Sequence, residues 1–196
     1  MTSAVYSALV HHPVRDRDGQ TVTAAVTNID VHDIARSSHT FGLAGFFVVS
    51  PIEAQRQLVV RILEHWRSGA GQRRMPHRSE ALAICLAVHA IEDAIRVITE
   101  REGKAPRVLA TAARPLAGRE VATFPAVSRL LSAADSGPSL ILFGTGHGLA
   151  DGVLASADVL IEPIAGVAGY NHLSVRAAAA IVFDRLFGGR QPAPAD

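Results

Sequence analysis

The chain has little cysteine, lysine or aromatic character, and each shortage removes a class of explanation. Cys85 is the single cysteine, so no disulfide forms within the chain, and its apolar setting (Leu82-Ala83-Ile84-Cys85-Leu86) marks a buried core thiol. Lys104 is the single lysine among 19 Lys and Arg residues, which leaves arginine to supply the positive charge. No apolar run reaches the ~18–20 residues that a membrane span needs. The first residues, Met1-Thr2-Ser3-Ala4-Val5-Tyr6, have neither the basic start nor the apolar stretch of a signal peptide. A phosphate loop ending in Gly-Lys-Ser/Thr is missing, and no serine sits on a strand–turn nucleophile elbow. Histidine is plentiful at nine, and His11, His12, His32 and Asp33 invite a metal reading. No pair among them has a zinc-like spacing with matching partners, so no metal site is expected. A cytoplasmic protein follows from these exclusions.

What remains is ordinary for a globular domain. With 196 residues, 48% hydrophobic and 19% charged, the chain suits one domain over residues 1–188. The tail from 189 to 196 has too little apolar content to pack and is expected to be disordered. A net charge of +1 argues neither for nor against nucleic acid. The basicity is uneven, however: Arg73, Arg74 and Arg78 cluster with His77 in a Gly/Pro-bearing segment, Gly69 to Ser79, that reads as an exposed loop. Arginine forks suit phosphate, so this segment is either an RNA contact or simply a solvated loop.

Strands and helices alternate along the chain. Apolar strand-like runs occur at 5–10, 46–49, 82–88, 107–111, 140–143 and 159–162. Between them lie helical stripes: Val31-Ile34-Ala35-Ser38 ending at Gly42, Ile52 to Trp66, Ile91 to Ile98, Val127 to Ala134, and Val175 to Leu186. Arg15-Asp16-Arg17-Asp18-Gly19-Gln20 is a polar turn. Short, continuously apolar strands alternating with amphipathic helices predict an α/β fold: a six-stranded, mostly parallel sheet with helices on both faces. Ligands of such sheets sit outside the carboxyl ends of the strands.

Two glycine loops occupy that position. Leu140-Ile141-Leu142-Phe143 runs into Gly144-Thr145-Gly146-His147-Gly148-Leu149. Val159-Leu160-Ile161 runs into Pro163-Ile164-Ala165-Gly166-Val167-Ala168-Gly169, after which Tyr170-Asn171-His172-Leu173-Ser174 opens the last helix. These loops after what read as adjacent strands make a pocket walled by backbone groups, since glycine allows φ > 0 and close approach of a ligand. Near the N-terminus, Asn28-Ile29-Asp30-Val31-His32-Asp33-Ile34-Ala35-Arg36 leads to Phe41-Gly42. Order and spacing together resemble the SPOUT RNA methyltransferases, over nearly the whole chain. The nearest likeness is the subgroup known only as S-adenosylmethionine (AdoMet)-dependent RNA methyltransferases.

The resemblance implies a C-terminal trefoil knot, AdoMet as cofactor, a homodimer, and a base or ribose of tRNA or rRNA as substrate. It places cofactor binding on Thr111, Gly144, Thr145, Gly146, Gly148, Leu149, Ile161, Pro163, Ile164, Gly166, Gly169, Asn171, Leu173 and Ser174. Arg36 matches the family arginine that contacts phosphate or positions the target, and Asp30, Asp33 or His172 is implied as proton acceptor. Asn28 and Asp30 also suit helix capping, as do Asn171 and Ser174. The chain departs from the family pattern in two places. The loop after Phe143 lacks the common glutamate, and His172 stands before Leu173-Ser174 where an asparagine is usual. The alternative is a non-catalytic or regulatory knotted protein that still binds AdoMet or a nucleotide.

Overall fold

The computed structural model describes residues 3–189, apart from residue 69 and the segments 115–117, 134–135 and 168–170. Gly169 and most of the C-terminal tail therefore lie outside the described residues. In chain order the elements are β1 (Val5–Val10), β2 (Val14–Arg15), β3 (Thr21–Val22), α1 (Asn28–Thr40), β4 (Gly45–Val49), α2 (Glu53–Ser68), α3 (Ala70–Arg74) and α4 (Pro76–Ala83). They continue as β5 (Cys85–Val88), α5 (Ile91–Glu102), β6 (Arg107–Thr111), α6 (Phe124–Ser132), β7 (Ser139–Gly144), α7 (Asp151–Ser156), β8 (Val159–Ile161) and α8 (Val175–Phe187).

Six strands form one parallel sheet in the order β5-β4-β1-β7-β6-β8. The central strands are apolar at nearly every position because both faces are covered. One core packs α1, α2, α4, α6 and α8 on the first face, with Phe46, Phe143 and Phe183 at its heart. The other packs α5 and α7 against Tyr6, Ala8, Val10, Leu140 and Leu142. No helix among the described residues is long and apolar enough to cross a membrane.

Three expectations are corrected. The run 82–88 divides: Leu82 is fully buried in the last turn of α4, and the strand begins only at Cys85. An apolar run serves a helix end and a strand start equally, so periodicity cannot locate the break. The segment 69–79, expected as a loop, is helical from residue 70 onward but for Met75. Pro76 opens α4 at its first turn, where a missing N–H costs nothing, so proline there punctuates two helices. The strands before the two glycine loops are not adjacent, because β6 lies between β7 and β8.

The polar turn at 15–20 joins β2 and β3 as an antiparallel pair. Gly19 takes φ +83° there, and the Asp16 carboxylate accepts from the Asp18 and Gln20 amides. The segment before α6 takes an unusual course. Ala122 bridges Ile161, with Ala122 N–H donating to Leu160 O and Glu162 N–H to Ala122 O. Since β6 holds the inner side of β8, this segment lies outside it. The last helix α8 nevertheless packs between α1 and α6.

Candidate functional site

Four segments converge at the carboxyl edge of the sheet: the loops after β6, β7 and β8, and the start of α8. The loop after β7 folds back tightly. A Cβ on Gly144 would overlap the Leu149 amide nitrogen and stand 2.7 Å from the Gly148 carbonyl carbon. Gly146 and Gly148 take φ +60° and +98°, which suits glycine. The β2 pair clamps this loop from outside. His147 N–H donates to Arg15 O, Arg15 N–H to Gly148 O, and Ala150 N–H to Pro13 O. Arg15 also donates twice to the Asp151 carboxylate, at 2.6 and 2.8 Å.

The expected cofactor residues divide by where their side chains point. Thr145 is buried and its hydroxyl donates to Val10 O at 3.1 Å. Leu149 packs in the core of the second face. Both are thereby spent on holding the loop. Thr111, at the end of β6, donates to Leu142 O at 2.9 Å. Ile161 and Ile164 form an apolar floor continuous with the first-face core. Pro163 is half-buried, Gly146 and Gly166 are exposed, and Leu173 is 46% exposed, high for a leucine. Ser174 caps α8, its hydroxyl accepting from Ala177 N–H at 3.3 Å. Asn171 does not cap; its amide donates to Ala113 O at 2.9 Å and ties the approach to α8 to the loop after β6.

The expected catalytic residues gather where α1 meets α8. Asp30 is buried, accepting from Thr27 Oγ1 at 2.6 Å and from Arg176 at 3.1 Å. The capping expected of Asn28 and Asp30 is not found: Thr27 precedes α1 with no side-chain cap, Asn28 is the first helical residue, and the Asp30 carboxylate pairs with the Thr27 hydroxyl and Arg176 instead. Arg176 also reaches Asp33 at 3.7 Å. Arg36 lies at the rim of the groove between α1 and α8, 57% exposed, 3.8 Å from Asp33. His172 is exposed on the stretch leading into α8.

Three residues escaped the sequence reading. Arg176 stands in the first turn of α8, where a cation opposes the helix dipole. That misplaced charge was the available signal that a carboxylate partner existed elsewhere. Arg119 donates to Ala155 O and Ala157 O at 3.0 and 2.7 Å, and Glu162 accepts from Phe124 N–H at 2.5 Å. Both fasten the segment outside β8, and nothing local in the sequence announces either pairing.

His11, just after β1, is fully buried, and among the described residues neither ring nitrogen has a partner in good hydrogen-bonding geometry, the Ala25 backbone being the group nearest to serving as one. Burial pushes its pKa down to about 4, with the Asp30 carboxylate and the Ala25 backbone pulling weakly the other way. Between that value and the ordinary ~6.5, the unfolded chain binds a proton that the folded chain refuses. Stability is therefore full above pH ~6.5 and falls by about 3 kcal/mol as the pH drops to ~4. Denaturant titrations of wild type and His11→Leu across this window should differ by that slope; superimposable pH profiles would contradict it.

The sequence profile described as SAM-dependent RNA methyltransferase matches residues 4–188. A tRNA (guanine-N(1)-)-methyltransferase of Oleidesulfovibrio alaskensis is 46% identical over 184 residues, 94% of this chain but 42% of that protein. The chain thus spans less than half the length of that relative. An uncharacterised protein of Aquifex aeolicus is 34% identical over 93% of this chain and 88% of its own length. In three dimensions the chain resembles a probable methylase family protein from Haemophilus influenzae, with a TM-score of 0.63 and 16% identity. That match covers 96% of this chain and 66% of the other and is a likeness of fold.

Proposed function

The chain belongs to the SAM-dependent RNA methyltransferase family, and from this premise we propose that it methylates a base or ribose of tRNA or rRNA. The observation that carries the proposal is the Arg176 link. One arginine at the start of the last motif holds two aspartates of the first motif, which supports reading the segments of the cofactor pocket and the segment bearing Arg36 as one site.

The edge of the sheet fits the cofactor. Ile161 and Ile164 supply an apolar floor, and exposed Leu173 stands where an adenine ring would gain by being covered. Gly146 and Gly166 leave backbone without side chains at the opening. AdoMet supplies a methyl already activated on a sulfonium, so the protein must align donor and nucleophile and dispose of a proton. Arg36 positions the RNA. Asp30 and Asp33 both pair with Arg176, so their oxygens are engaged in holding α8 to α1. His172, exposed on the stretch leading into α8, is the proposed proton acceptor.

The trefoil knot belongs to the same proposal. The segment around Ala122 passes outside β8, while α8 lies inboard of α6. A chain leaving β8 for α8 by that route threads the loop between β6 and α6. A homodimer is proposed across the groove between α1 and α8, whose small residues Ser37, Ala177 and Ala180 admit a close helix approach beside Arg36. The proposed setting is the cytoplasm, where these RNAs reside.

The test is transfer of labelled methyl from AdoMet into RNA taken from cells lacking this protein. Label in tRNA or rRNA that is absent from wild-type RNA, already methylated at the site, is the expected result. Binding of AdoMet without transfer to either RNA would favour the non-catalytic reading, which the loop without a glutamate allows.

A further inference from the structure

Positive charge is concentrated in one place outside the pocket. Between Glu64 and Glu80 the chain carries Arg67, Arg73, Arg74 and Arg78 with His65 and His77, and no acidic residue. The rest of the chain is net acidic, so the near-neutral total conceals a local basic surface. Gln72 through His77 are all exposed, and the His77 side chain is 98% accessible. Side chains that only solvate a helix are usually mixed in sign.

This surface is joined to the site. The Ser79 hydroxyl donates to Trp66 O at 2.8 Å, fastening α4 to the end of α2. The Arg78 guanidinium lies 5.1 Å from the Trp66 ring centre, and the His32 ring meets the same indole edge-on at 5.6 Å. His32 precedes Arg36 by one turn of α1, and α4 packs directly on α1. The His32 pKa is lowered first by burial, then by Arg78, and further by Arg36, against an opposing pull from Asp33. Arg78 from α4 and Arg36 from α1 therefore both lie near one imidazole, which brings the basic segment up to the helix that carries Arg36.

We propose that α3 and α4, the latter seated on Trp66 beside His32, grip the phosphate backbone of the substrate RNA away from the methylated nucleotide, so that one RNA segment spans Arg73, Arg74, Arg78 and Arg36. The proposal rests on the RNA methyltransferase reading above and adds where the RNA is held. Phosphate is the ligand that arginine forks match in shape and charge. Such pairing to phosphate positions a nucleic acid without reading its sequence, which suits a surface remote from the reacting atom.

The experiment uses the full chain and Arg73→Ala/Arg74→Ala, with Arg73→Lys/Arg74→Lys as the charge-preserving control. Both side chains are exposed, and substitutions of this kind leave folding nearly unchanged. Affinity for bulk tRNA and for fragmented ribosomal RNA is measured across a salt series, alongside AdoMet affinity by calorimetry. Each arginine withdrawn from a phosphate should lower the slope of log affinity against log salt by about 1. The alanine pair should therefore reduce the slope by about 2 and the affinity by roughly tenfold or more, with KM for RNA raised, kcat held and AdoMet affinity unchanged. The lysine pair should restore most of the slope. Unchanged RNA affinity and slope in the alanine pair, with AdoMet still bound, would overturn this assignment alone, and an acidic protein would become the partner to seek. Failure of wild type to bind AdoMet, with RNA still held through these arginines, would overturn the methyltransferase reading and leave the surface assignment standing.

Discussion

Replacing Arg36 by alanine should lower methyl transfer by roughly 100–1,000-fold, the loss typical of removing one positioned electrostatic group, while AdoMet affinity stays near its wild-type value. The side chain is 57% exposed and its carboxylate neighbour, Asp33, lies at 3.8 Å. An exposed pair of that kind contributes little to folding. Asp33 also keeps Arg176 when Arg36 is gone, so the site is not left with an unpaired charge. Arg36→Lys should recover only part of the activity, because a lysine lacks the planar fork that grips phosphate or a base edge. Measured by methyl incorporation and by AdoMet titration on the same preparations, the two quantities must separate. An equal fall in both would place Arg36 in the cofactor site or the scaffold.

Gly144→Ala should destabilise the fold by about 3 kcal/mol, the upper range for forced overpacking, and weaken AdoMet binding with it. The added methyl meets the Leu149 amide nitrogen and the Gly148 carbonyl carbon, both backbone atoms. Neither can step aside, because the loop is held by Thr145 N–H on Val10 O, His147 N–H on Arg15 O and Ala150 N–H on Pro13 O. Gly144 also ends the strand that pairs with β1 at the centre of the sheet. At this chain length the change corresponds to a fall in Tm of roughly 6–12 °C. Gly152→Ala is the control: a Cβ there meets nothing within 4 Å, and the site is helical, so its Tm should hold or rise. Equal melting of Gly144→Ala and wild type would mean that the loop has slack the close approach denies.

The sheet was readable in the sequence because a parallel sheet covered on both faces writes each strand as an unbroken apolar run, as in Val5–Val10 and Leu140–Phe143. The order of those strands was not. That β6 separates β7 from β8 is a long-range fact, and two glycine loops close together in sequence look like neighbours. Pro76 misled in another way, since a residue that breaks one helix can also open the next. At the site, Arg36, Asp30 and the glycine loops were recognisable by motif. The partner that organises Asp30 and Asp33 was not, because Arg176 lies 146 residues from Asp30. Its position against the helix dipole was a hint of a partner, though not of which one.

The most direct measurement is calorimetric titration of the purified chain with AdoMet and S-adenosylhomocysteine, alongside ATP and NAD. Selective binding of the two sulfur nucleosides, weakened in Gly144→Ala and preserved in Arg36→Ala, is the expected result. A folded protein that binds neither, or that takes ATP or NAD as readily, would contradict a cofactor pocket at this edge of the sheet.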